Sequence, residues 1–211
     1  MACTTFRRGY MNLLFKQIKQ RCYEIKDIRN LITVNGETQN KEKLSIKLIK
    51  DVLDGMNLKY TQAGSQQSKD FRNVHRGVKS LSINIEVKKT DNKIIYFNDT
   101  LPSCDIYYII FYTGKKFKRA TKNDVQPQII FINGYDLIKD DLELLNEYKK
   151  DIEYMKNKWG RKGTDGNACK FKHFSVYPRP TYKTDITYLL NSEQSVVLEE
   201  VAQHCLSEQS V

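Results

Sequence analysis

No stretch of this chain carries the roughly 20 consecutive apolar residues that a membrane-crossing helix needs. The opening MACTTFRRGYMNLLFKQIKQRCYEI is interrupted by Lys16, Lys19 and Arg21, so it lacks the apolar core of a signal peptide, and the protein is expected to stay in the cytoplasm. The five cysteines, at positions 3, 22, 104, 169 and 205, include no CxxC pair, which argues against a disulfide framework and suits free thiols in a reducing compartment. Histidine is scarce too. Of the three, only His173 lies near a cysteine, Cys169, so a zinc site with clustered ligands is not expected.

What the chain has in excess is positive charge. Its 35 Lys and Arg against 25 Asp and Glu give a formal charge of +10. Such a surface concentrates polyanions and makes nucleic acid the leading partner, although lysine-rich surfaces also serve solubility alone. Its 211 residues suffice for one substantial core, and a single domain over residues 1–211 is expected.

Periodicity outlines the elements. Leu13, Leu14, Ile18, Cys22 and Ile25 recur at helical spacing within residues 10–30, and 31–40, with Asn35-Gly36, reads as a turn. A second helix follows in KEKLSIKLIKDVLDG, its stripe made of Leu44, Leu48, Ile49, Val52, Leu53 and Met56, stopping near Gly55. In LSINIEVKK the period changes to two, with Leu81, Ile83, Ile85 and Val87 alternating against Ser82, Asn84, Glu86 and Lys88, a half-buried strand. DIYYIIFYT at 105–113 and QIIFIN at 128–133 are continuous apolar runs, as in strands covered on both faces. Residues 135–157 repeat Leu137, Ile138, Leu142, Leu145, Ile152 and Met155 as a third helix. These elements imply an α/β fold, a central mixed β-sheet flanked by helices. Beyond them, FKHFSVY is a strand candidate and LNSEQSVVLEEVAQHCLSEQSV a closing helix or a tail to which no chemistry is assigned.

One constellation carries chemistry. Phosphodiester hydrolysis needs an activated water and a cation against developing negative charge. Two carboxylates suffice to hold Mg2+, which keeps several waters, and a lysine beside them can orient or deprotonate the attacking one. GSQQSKDFRNVHRGVKSLSINIEVKK supplies Asp70 and, sixteen residues later, Glu86-Val87-Lys88. Strand alternation puts Glu86 and Lys88 on one face, a turn near Gly77 can return Asp70 beside Glu86, and the backbone carbonyl of Val87 offers a further oxygen. Acid-x-Lys also occurs at Glu24, Asp91 and Glu147, but Glu24 and Glu147 fall in helical patterns and Asp91 in a turn; only Glu86 is in a strand with an acid upstream.

With SKD, IEVKKTD, FNDTLP and DIYYIIF in succession, the chain resembles type II restriction endonucleases of the PD-(D/E)xK superfamily over about residues 40–135. The resemblance implies a restriction-endonuclease-like core in which Asp70, Glu86 and Lys88 are catalytic and Asp70 and Glu86 hold Mg2+. The family's first acid often follows a proline, whereas Ser68-Lys69 precede Asp70 here. It further implies an extra metal-holding acid on the preceding helix, for which Glu42 is the candidate, although a carboxylate in a helix's first turn is also favoured by the macrodipole. Asn98-Asp99 and Asp105 fall within the resemblance without a role; Asp105 could equally cap a loop before its strand.

Groups able to read or grip double-stranded DNA flank the acids: Ser65, Gln66, Gln67, Arg72, Asn73, His75 and Arg76. A basic region at about 158–183 adds Arg161, Lys162, Lys170, Lys172 and His173 among glycines, without the spacing of a phosphate-cradling nucleotide loop. The reading is a Mg2+-dependent endonuclease cutting both strands of a short specific DNA sequence. A two-fold homodimer is the economical way for single-strand sites to cut both strands, and the resemblance implies a cognate methyltransferase in the same system that is not bound. A structure-specific repair or junction nuclease with this core, or a non-catalytic basic DNA-binding protein, remain the alternatives.

Overall fold

The computed structural model describes residues 2–25, 28–34, 37–63, 69–98, 101–115, 126–159 and 180–198. The first two helical stripes form where the spacing places them, with shifted ends. Helix α1 runs Ala2–Cys22, with Leu14, Phe15, Ile18 and Cys22 buried. It starts well before residue 10 and stops at Cys22, after which Tyr23, Glu24 and Ile25 donate to carbonyls three residues back. Leu13 faces water, contrary to its expected place on the stripe. Helix α2 spans Thr38–Gly55 and buries Ile49 and Leu53, with Leu44, Leu48, Val52 and Met56 packed at their margins. Each such buried Ile or Leu contributes about 1.5–3 kcal/mol.

The strands are β1 (Lys59–Gln62), β2 (Phe71–His75), β3 (Ile83–Thr90), β4 (Ile94–Asn98), β5 (Ile106–Tyr112), β6 (Gln128–Asn133), β7 (Thr181–Asp185) and β8 (Ser195–Val197). Among the described residues, six of them form one mixed sheet in the order β1-β2-β3-β5-β6-β8. Among the described strands of that sheet only β3 and β5 are parallel neighbours, with Glu86 opposite Tyr108 and Lys88 opposite Ile110. Every residue of β5 is buried, as its unbroken apolar run requires of a central strand.

The two faces of the sheet build two cores. Ile83, Ile85, Val87, Tyr107, Ile109 and Phe111 pack beneath α1 and α2. Tyr108, Ile110, Tyr112, Ile130 and Ile132 pack on the opposite side. That second face is covered by helix α3 (Gly134–Ile138), helix α4 (Leu142–Trp159) and a two-stranded ribbon of β4 and β7, through Leu137, Leu145, Ile95 and Phe97. An α/β architecture with a mixed sheet and flanking helices is therefore present. Period-two alternation sends Ile83, Ile85 and Val87 toward the helices α1 and α2, and Glu86 and Lys88 toward the ribbon.

Four further expectations need correction. The helix expected over 135–157 is two: α3 starts at Gly134, capped by Asn133, whose side chain accepts the Asp136 N–H at 2.9 Å, and a 3-10 turn at Lys139–Asp141 separates it from α4. Met155 is exposed rather than buried. Of the segment 190–211 expected to close the chain as a helix or tail, the described part carries a strand instead, β8, which pairs with β6, and residues 199–211 lie outside the described residues. The turn expected to run to residue 40 ends by Thr38, where α2 has already started. Asn35-Gly36 and the FKHFSVY strand lie outside the described residues.

Candidate active site

A bulge and a turn close the sixteen-residue gap between Asp70 and Glu86. In β2 the buried residues are Phe71 and Val74, three apart rather than two, and they oppose Ile85 and Ile83. The extra residue is absorbed at Arg72-Asn73, where Asn73 takes φ 52° and its N–H donates to Asn84 Oδ1 at 3.2 Å. The chain then reverses through Gly77 at φ 95°, a conformation glycine adopts without penalty. The turn thus falls at the expected residue.

The β2–β3 ladder ends at Phe71 and Ile85, and carboxylates take over the next pairings. The Val87 N–H donates to Asp70 Oδ2 at 2.7 Å, and the Lys69 N–H donates to Glu86 Oε2 at 3.2 Å. Main-chain donors that would otherwise be left unpaired beyond the last rung of the ladder are thereby satisfied by acidic side chains. The N–H and C=O of one strand residue point to the same edge, so the Val87 carbonyl lies on the Asp70 side of β3.

Glu86 is only 8% exposed, and its Oε1 accepts from Lys88 Nζ at 2.7 Å. The Lys88 ammonium lies 5.0 Å from the centre of the Phe97 ring, which packs edge-on against Tyr108. Phe97 thus fixes the lysine from the ribbon side. Burial pushes the Asp70 carboxyl up to about 6, opposed by the Val87 N–H, reinforced by the negative charge of Glu86, opposed by Lys88 and reinforced again by Glu42. Asp70 Oδ1 receives no hydrogen bond from the described residues.

Glu42 is exposed and sits past the first turn of α2, because the helix starts at Thr38. Its charge still reaches Asp70, whereas the first-turn dipole argument for it falls away. Arg72 and His75 are half-buried, and Asn73 and Arg76 exposed, on β2 and the turn after it. Ser65, Gln66 and Gln67, and also Arg161, Lys162, Lys170, Lys172 and His173, lie outside the described residues.

Sequence reasoning missed Lys69, whose Nζ pairs with Asp105 Oδ2 at 3.1 Å. Asp105 also accepts from the Ser103 hydroxyl, the loop role considered for it. Burial would raise the Asp105 carboxyl, but the Ser103 and Lys69 donors hold it below the usual carboxylate range. The ribbon strand carrying Phe97 was also missed. Its signal was Ile94-Ile95-Tyr96-Phe97 directly after the Asp91-Asn92-Lys93 bend.

Among the described residues no three His, Cys, Asp or Glu side chains form a group able to hold a metal ion. A hard cation here would rest on two carboxylates, main-chain oxygen and water. A cleft of about 660 Å³ lies elsewhere, lined by Asn12, Lys16, Tyr107, Asp136 and Tyr188, and it includes none of Asp70, Glu86 and Lys88. No described helix is long and apolar enough to cross a membrane.

Comparison with protein-family models, with curated proteins and with solved structures found no match. The class that fold and site define is thus an α/β protein with a mixed six-stranded sheet, carrying a carboxylate pair and a lysine where β2 parts from β3.

Proposed function

We propose that the protein is a Mg2+-dependent endonuclease for double-stranded DNA, of the PD-(D/E)xK type it resembles and with a restriction-endonuclease-like core. The observation that carries the reading is the meeting of Asp70 with Glu86 and Lys88 just before β2 begins, through the Asp70–Val87 and Glu86–Lys88 contacts. The donor set suits Mg2+. It consists of oxygen atoms only, Asp70 Oδ1 is not taken up by the described residues, and Asp70 is driven toward protonation by burial and by Glu86, a repulsion that a divalent cation relieves.

Asp70 and Glu86, with the Val87 carbonyl, are the groups that would hold the ion, which supplies electrostatic stabilisation of the phosphate. Lys88 orients the attacking water with its ammonium, and the Phe97 ring limits where that ammonium can go. The excess of Lys and Arg draws the DNA phosphates toward the protein. One such site cuts one strand, so cleavage of both strands of a short palindromic sequence calls for a two-fold homodimer.

The test is Mg2+-dependent cleavage of duplex DNA by the purified protein, with branched DNA alongside to detect a junction preference. Glu86→Ala and Lys88→Ala are expected to lower cleavage at least a hundredfold while DNA binding persists. Full activity of Lys88→Ala would overturn the mechanism. DNA binding without any cation-dependent cleavage would favour a non-catalytic binding protein.

A further inference from the structure

The carboxylate pair depends on one backbone conformation. Lys69, directly before Asp70, has φ 72°, in the left-handed region that an L side chain enters only when its surroundings hold it there. Two interactions of that residue do so: its N–H donates to Glu86 Oε2 at 3.2 Å, and its Nζ reaches Asp105 Oδ2 at 3.1 Å. Asp105 is anchored in turn. The Ser103 hydroxyl donates to it, and the Ser103 N–H donates to the Tyr108 hydroxyl at 2.9 Å. Tyr108 lies opposite Glu86 in the sheet. The Ser103 carbonyl abuts Gly134, where an added Cβ would come within 1.9 Å of it. The loop holding Asp105 is therefore braced against both β5 and α3.

We propose that Lys69 and Asp105 are positioning residues of the carboxylate pair. Their ion pair holds residue 69 in the left-handed conformation that aims the Asp70 carboxyl at the Val87 N–H, and so it sets the affinity of Asp70 and Glu86 for a divalent cation. The cation half of this inference rests on the reading of those acids given under Proposed function; the backbone half does not. Neither residue acts on DNA. The pair is partly exposed, with side-chain exposures of 27% for Lys69 and 62% for Asp105, so its loss is expected to shift equilibria about two- to fivefold.

The experiment measures amide hydrogen exchange in the metal-free protein by NMR, together with binding of Mn2+ alone as the probe cation. Asp105→Ala and Lys69→Met are each expected to speed Val87 N–H exchange two- to fivefold and to weaken Mn2+ binding by a similar factor. The double variant should do no more than either single one, because both remove the same contact. Lys69→Arg should restore both readouts. Faster exchange along β5 to the same extent as at Val87 would indicate a general loss of structure and overturn the proposal, as would unchanged Val87 exchange in both single variants. If the wild-type protein binds no Mn2+, the reading of Asp70 and Glu86 as cation-holding acids fails, and Val87 exchange still decides whether the pair positions Asp70.

Discussion

Asp70→Asn separates the electrostatic cost of the site from its use. In the folded protein the Asp70 carboxyl titrates at about 6 against an ordinary 3.8. At about 1.36 kcal/mol per unit, an ionised Asp70 destabilises the metal-free fold by on the order of 2–3 kcal/mol. The sign follows from the raised folded value. Below 3.8 the group is protonated whether folded or not and costs nothing; the penalty grows as pH rises between 3.8 and about 6, and above that it is fully present. Asparagine keeps an oxygen for the Val87 N–H and carries no charge. At pH 7.5 Asp70→Asn is therefore expected to stabilise the metal-free protein by about 1–3 kcal/mol, the lower end allowing for a weaker bond to Val87 and loss of attraction to Lys88. At pH 4 the gain should nearly vanish. Urea denaturation at the two pH values, without divalent ions, measures it. Added Mg2+ should stabilise the wild type but not the variant, and the variant should not cleave DNA. An Asp70→Asn protein that is destabilised equally at both pH values would refute the reasoning, because Asp70 would then be held as a satisfied charge.

Two further outcomes concern the scaffold. Gly134→Ala should destabilise the protein by at least about 3 kcal/mol in denaturant titration, since its Cβ would meet the Ser103 carbonyl and neither backbone can withdraw cheaply. Asp91→Ala should cost about 2 kcal/mol or more, because it strips partners from Lys89, whose side chain is only 5% exposed, and from Thr113, which donates to Asp91 at 2.8 Å. Burial raises the Asp91 carboxyl, but the Thr113 hydroxyl, the Lys89 ammonium and the Thr33 N–H together hold it below the usual range. Its stabilisation is thus present above pH 3.8 and lost as pH falls through the folded value; urea titrations of wild type and Asp91→Ala should converge in acid.

Local pattern alone was enough for the elements that a single buried face governs. The alternation through Ile83, Ile85 and Val87 made β3 legible, the apolar runs made β5 and β6 legible almost to the residue, and the stripe ending near Gly55 made α2 legible. It also put Glu86 and Lys88 on one face, because the side-chain period of a strand does not depend on its neighbours. What local pattern could not supply is pairing between distant segments. That β4 leaves the sheet to join β7, that β3 lies parallel to β5, and that SEQSVV adds an edge strand to β6 are outcomes of competition for hydrogen-bond partners and apolar cover across the whole chain. The site divides in the same way. Its residue types and spacing lie in the sequence, while the left-handed turn at Lys69, the Asp70–Val87 bond and the charge penalty on Asp70 exist only once packing has brought the start of β2 against β3 and removed water from both carboxylates.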